Sequence, residues 1–532
     1  MRALTGTGAL ARLILRRDRV LTPVWVLFVA ALPPGFVAGT EQLYPTLADR
    51  LTYARTSGTN PTFLALYGPL SGTGVGAIVA QRSGFIPVVV ALISVLTVIR
   101  HTRTEEEAGR REVVAAAVVG RHAQLAAALV VTVAANLVLA VLLAAGMAGQ
   151  GLSVAGSIAF GLQPAVMGCV FAAAAGVAAQ LSEGAGAARG IAIGALGTAF
   201  VVRLAGDIGG AGNGLSWVSW LSPIGWAHRL RPYAGERWWV LALAAGLVAV
   251  LITAAMALSA RRDVGAGVLR PRAGPGAASP ALAGPVALAW RLHRGPLLGW
   301  LVGFAALGTV YGGVADGVER MVEDNPGLGE IFARLGGKTG IVDAYLASTM
   351  GMVALIASAY AVQATLRLRS EETGGRAEPV LATATGRLRW AVGHLLFSAL
   401  GPAAALAVAG LTVGLVHGLN SGDVGRELSR ALAGAMVQLP AAWVPAAIAV
   451  ALFGLAPRLT AAAWGAVVLF LVLGQFGAAL RLGQWMLDLS PFTHIPKIPG
   501  GDFAVTPLLW LTALTAALTV AGLAGLRRRD VG

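Results

Sequence analysis

A chain of 532 residues that is 56% hydrophobic and only 12% charged cannot clothe the surface of a soluble enzyme, which needs about 25% charged residues. A mean hydropathy of +0.73 and long apolar runs predict an all-α integral membrane protein instead. The formal net charge of +15 sits in short loops between those runs, as membrane topology requires, so it does not point to nucleic acid.

Residues 1–20 place Leu10, Leu13 and Ile14 on one helical face and Arg12, Arg16 and Arg19 on another. That pattern predicts an amphipathic helix lying in the membrane interface. It is too charged for the basic region of a signal peptide, and no clear cleavage site follows the first apolar run. Spans are expected at 22–39, 83–100, 122–146, 153–180, 187–206 and 237–260, then at 296–315, 344–366, 390–416, 431–455, 460–480 and 506–526. Each approaches the ~20 residues that cross a hydrocarbon core.

The charged loop RTEEEAGRREVVAAAVVGR, Arg103 to Arg121, returns as LRSEETGGRAEPVLATATGR, Leu368 to Arg387. Glu105 falls on Glu371, Glu106 on Glu372, Gly109 on Gly375, Arg110 on Arg376, Glu112 on Glu378 and Arg121 on Arg387. Other pairs repeat with similar offsets. Arg19 and Trp25 match Arg294 and Trp300, Asn60-Pro61 matches Asn325-Pro326, and Leu221-Ser222-Pro223 matches Leu489-Ser490-Pro491. RRDVG occurs at Arg261 to Gly265 and again at Arg528 to Gly532.

A repeat of this length decides the architecture. About 12 transmembrane helices form two parallel six-helix repeats, with interfacial amphipathic helices besides. The first half is 1–265 with its charged loop at about 101–121, the linker is 266–285, and the second half is 286–532 with its loop at about 367–389. With both termini inside, about 26 arginines lie on the cytoplasmic side and about 14 basic residues outside, which satisfies the positive-inside rule.

Nothing in the chain reads as a catalytic or metal motif. GGKTG at Gly336 to Gly340 lacks the phosphate-loop glycine at position 332, where Phe332 stands. Gly72, Gly74 and Gly76 lack the strand and helix of a dinucleotide site. The seven histidines show no metal spacing, and the single cysteine, Cys169, reads as a packing residue. Polar groups inside spans are few: Asn136, Gln180, Arg203, Gln363, Gln438 and Gln475. Arg203 lies near a span end, where its side chain can reach the outer interface. There is no chain of buried Asp or Glu such as a proton- or sodium-coupled carrier usually needs. The duplicated Glu/Arg loops could dock into clefts on a soluble partner, with opposite charges setting register.

At these residues the chain resembles the ABC-2-type permeases of actinobacteria. The likeness is to the fused two-half group described as exporters of polyketide antibiotics, which includes tetronasin-resistance and mycobacterial multidrug-export permeases. RTEEEAGRREVVAAAVVGR, its copy, the N-terminal RLILRRDR and the duplicated six-span plan carry the resemblance, which covers the whole chain. It implies a multi-pass protein of the bacterial plasma membrane that is not itself an enzyme. ATP and Mg would be bound by two copies of a separate ATP-binding subunit, and this chain would hold no cofactor.

The resemblance also implies a coupling helix in the first cytoplasmic loop of each half. That assigns Glu105, Glu106, Glu107, Arg110 and Glu112 to one, and Glu371, Glu372, Arg376 and Glu378 to the other. Thr373 stands where the first copy has Glu107, and Pro379 where it has Val113. Proline disfavours helix before it, so the two docking sites are expected to differ. The last extracellular loops, 207–236 and 481–505, would fold re-entrantly as an outer gate. The cargo would be an amphipathic small molecule crossing amid membrane lipid. The alternatives are a proton-coupled secondary multidrug transporter and an ABC-type lipid or glycan permease.

Overall fold

The computed structural model describes residues 3–56, 63–64, 67–110, 117–209, 214–263, 265–269, 277, 279, 284–323, 337–476 and 483–529. All regular structure among them is helical. Twelve helices are long and apolar enough to cross a membrane, and the chain forms two compact units, Met1–Gly274 and Pro275–Gly532. The protein is an all-α, multi-pass membrane protein.

In the first unit the amphipathic helix Thr7–Arg17 lays Leu10, Ala11 and Ile14 on Ala127, Ala128 and Val131 of the third span. Its Arg12 and Arg16 stay exposed, as does Arg19 just beyond it. The fourth span, Val154–Leu181, is the most buried of the twelve. Small residues make that possible, because they let helix backbones close on one another. A Cβ on Gly161 would sit 2.2 Å from the Ala140 carbonyl, and one on Gly168 would strike the Asn136 amide. Leu125, Leu129, Val95, Val98, Met167, Phe171 and Ile224 fill the core around it.

Away from the charged loop, a 3-10 turn Leu215–Leu221 and a short helix Pro223–Arg229 tuck among the second, fourth, fifth and sixth spans. Ile224, Ala227 and Leu230 are buried there, and Ser222 donates to the Ala199 carbonyl at 2.6 Å. Arg203 does not reach the interface as its sequence position suggested. It is 1% exposed, donates to the Leu64 carbonyl at 3.1 Å, and pairs with Asp207 at 3.4 Å. A carboxylate one helical turn away makes inward burial cheaper than an outward reach.

In the second unit the interfacial segment is not a separate helix. It is continuous with its span in Pro285–Glu323, which carries Pro296 inside. Gly410, Gly414 and Gly418 of the ninth span each face backbone of the helix Val424–Met436, a glycine ladder that joins the ninth span to the tenth. Three buried carboxylates were not apparent from the apolar windows: Asp207 in the first unit, Asp343 and Glu427 in the second. The helices run past those windows. Arg430 pairs with Asp343 and lies 3.0 Å from Glu427, so the charge is neutralised where it is buried.

Candidate functional site

The first charged loop begins where the second span stops being regular helix, at Thr102, and makes one turn, Arg103–Glu107. Gly109 then adopts φ +70°, a left-handed conformation that glycine alone takes without strain. In the second unit the helix Gly337–Thr373 runs unbroken through Glu371 and Glu372, and Gly375 takes φ +67°. The two glycines that align in sequence therefore end the same structural feature. A short helix, Ala377–Leu381, follows. Pro379 does not break it, because it stands in the first turn, where its missing N–H has no intrahelical partner to lose.

Two adjacent acids of each loop face inward, Glu105 and Glu106 in the first and Glu371 and Glu372 in the second. Glu105 accepts from Arg110 at 2.7 and 2.9 Å and pairs with Arg17 of the amphipathic helix at 2.9 Å. Glu371 does the same work in its half, between Arg367 at 2.7 Å and Arg376 at 2.9 Å. The hydrogen bond to Glu105 raises the Arg110 guanidinium above even its ordinary pKa.

Glu106 is deeper. Its carboxylate accepts from Arg262 Nη1 and Nη2 at 2.8 and 2.9 Å and from the Gly265 amide at 2.7 Å. Arg103, wholly buried, lies 2.9 Å away. Glu372 accepts from Arg529 Nη1 and Nη2 at 2.6 and 3.0 Å and from Arg369 at 3.1 Å. A fork of two parallel N–H donors on one carboxylate is the strongest common form of this contact.

The far ends of the loops return to the same arginines. Arg121 Nη2 donates to the Arg262 carbonyl at 2.6 Å, and Arg387 Nη1 donates to the Arg529 carbonyl at 2.7 Å. Arg262 and Arg529 cap the C-termini of the sixth and twelfth spans, where free carbonyls attract cations. Each also rests on a span of its own half. Arg262 Nε donates to Gln180 of the fourth span at 2.7 Å, whereas Arg529 lies 4.7 Å over the Phe453 ring of the tenth.

The structure thus gathers Glu105, Glu106 and Arg110 in one cluster, and Glu371, Glu372 and Arg376 in another. Glu107 turns away from the first cluster and accepts from the Ala185 amide at 2.9 Å, capping the fifth span. Thr373, its counterpart, donates back to the Arg369 carbonyl at 2.8 Å, and among the described residues the second loop shows no such cap. Arg110, Arg376, Glu378 and Glu107 are exposed. Glu112 lies outside the described residues. Sequence reasoning missed the partners, Arg262 and Arg529, although both stand in the repeated RRDVG. It also missed Asp18, which holds His101 at 2.5 Å and Arg100 at 3.2 Å beneath the first loop, and the buried contact of His293 with His394 at 3.0 Å. Among the described residues no group of three His, Cys, Asp or Glu could hold a metal.

Comparison with known proteins agrees with the repeat. A family model described as "Multidrug efflux system permease Rv1217c, C-terminal domain" matches twice, over residues 13–258 and 282–527. The multidrug efflux system permease protein Rv1217c of Mycobacterium tuberculosis is 45% identical over 528 residues, which is 99% of this chain and 95% of that protein. The chain therefore belongs to the Rv1217c family of permeases, in the ABC-2-like group.

Proposed function

We propose that this chain is the membrane-spanning subunit of an ATP-driven exporter of amphipathic drugs or natural products, polyketide antibiotics among them. Two copies of a separate ATP-binding subunit, carrying ATP and Mg, dock on the two charged loops. The chain sits in a bacterial plasma membrane with both termini cytoplasmic. The observation that carries this reading is the duplicated loop: two glycine-terminated turns with Glu106 and Glu372 locked inward, one in each copy of a permease family domain. A dimeric motor needs two such handles. Arg110 and Arg376 are exposed, next to the exposed Glu107 and Glu378, so the receiving cleft should set acidic groups against the arginines, since complementary charge steers encounter and register.

Co-expression with a candidate ATP-binding subunit tests the reading. The two should co-purify, and cells carrying both should expel and resist an amphipathic antibiotic in an ATP-dependent way. Transport by this chain alone, driven by a proton gradient, would replace the reading with a secondary carrier. Against that alternative, Asp207, Asp343 and Glu427 are each engaged in an ion pair with an arginine.

A further inference from the structure

We infer that Arg262 and Arg529 are positioning residues that make each charged loop and the last span of its half move as one body. In each half one arginine is fastened at three points. Its guanidinium holds the carboxylate at the loop's start, its carbonyl is held by the arginine at the loop's end, and it caps the sixth or twelfth span. The glutamates are 4% and 1% exposed, so water does not loosen the contact. Each last span packs along one neighbour, the sixth on the fourth and the twelfth on the tenth, and leaves most of its remaining surface unburied. Val240–Arg261 buries only Val240, Ala244, Ala255 and Ser259, and Val505–Arg528 only Leu511, Gly522 and Leu526. A force on the loop is therefore delivered directly to the C-terminal end of that span. The same arrangement occurs twice on residues that the repeat aligns, with different supports, Gln180 and Phe453. What the linkage does in transport rests on the proposed docking of an ATP-binding subunit; the linkage itself does not.

Amide hydrogen exchange on the full chain in lipid nanodiscs tests it. In the permease alone, Arg262→Gln should speed exchange across 103–110 about tenfold, within the range of coupling between linked sites. Glu106→Gln should do the same across 255–263. Residues 367–376 and 520–529 should stay at the unmodified rate. Arg529→Gln and Glu372→Gln should give the mirror result, and Arg262→Lys and Arg529→Lys, which keep the charge but lose the two-pronged geometry, should recover only part of the protection. Exchange that rises only in the mutated element, or everywhere alike, overturns the proposal.

This arm uses no ATP-binding subunit. The docking reading fails separately, if the unmodified chain captures none. In the assembled complex, ATP should alter exchange in both the loop and the end of the sixth span. Arg262→Gln should keep the first response and lose the second. An unchanged second response would show that the force travels by another route.

Discussion

Glu106 and Arg262, 156 residues apart, meet in a two-pronged ion pair with N–O distances of 2.8 and 2.9 Å. Removing one partner strands the other. Glu106→Ala leaves Arg103 and Arg262 side by side with 0% and 5% exposure, and an uncompensated buried charge costs about 3–5 kcal/mol. Glu106→Ala should therefore lower the thermal unfolding midpoint in detergent far more than Arg110→Ala, whose side chain is 54% exposed and contributes about 1 kcal/mol or less. Equal midpoints for the two variants would refute the ranking.

The proposed docking surface makes a prediction of opposite character. Arg110→Glu and Arg376→Glu should leave the fold intact and weaken capture of the ATP-binding subunit, each by about tenfold. Raising salt should weaken capture by the unmodified chain in the same direction. Binding titrations at two ionic strengths read both effects. Glu105→Arg and Glu371→Arg should disturb capture and loop shape together, because those carboxylates hold Arg110 and Arg376 in place.

Acid should destabilise the first half through His228. The imidazole is buried near Arg203 and Arg229, and burial first, then those charges, push its pKa down from 6.5 to about 3. The unfolded chain binds a proton below about 6.5 and the folded chain does not. Stability from this residue is thus complete above pH 6.5 and declines as pH falls toward 3, by about 1.4 kcal/mol per unit. His228→Asn should flatten that stretch of the profile between pH 6.5 and 4.5 in thermal unfolding scans. Parallel profiles for the two proteins would show that the group does not titrate on unfolding.

The tenth and twelfth spans cross at glycines. A Cβ on Gly454 would lie 1.8 Å from the Gly522 carbonyl oxygen, so Gly454→Ala must push the backbones of the two helices apart, at about 1–3 kcal/mol. Gly246 of the sixth span has nothing within 4 Å of its Cβ position, and Gly246→Ala should be neutral or stabilising by about 0.5–1 kcal/mol. Unfolding midpoints of the two variants should move in opposite directions.

The number of spans, the repeat and the two loops were legible because each is written locally, as an apolar run near 20 residues or a motif copied about 266 residues later. Gly109 and Gly375 could be matched without knowing that both occupy left-handed turns. The purpose of the loop acids was not legible. Glu106 and Glu372 read as exposed docking charges, yet each is spent on an arginine more than 150 residues away, and no local pattern names that partner. RRDVG gave a hint through its recurrence beside the loop's own recurrence. Asp343 and Glu427 were hidden for another reason. Apolar windows mark hydrocarbon thickness, while helices continue beyond it wherever an arginine such as Arg430 balances the charge.

Arg262 rests on an amide, Gln180, while Arg529 rests on an aromatic ring, Phe453, and the first loop has a glutamate cap that the described residues of the second do not show. Both versions belong to one polypeptide. Every molecule made therefore contains one of each, in a fixed one-to-one ratio that a dimer of separately encoded halves could not guarantee. If the proposed ATP-binding subunits dock there, each assembled complex presents them with two unlike handles, and the second handle is free to diverge without ever producing a chain that lacks the first.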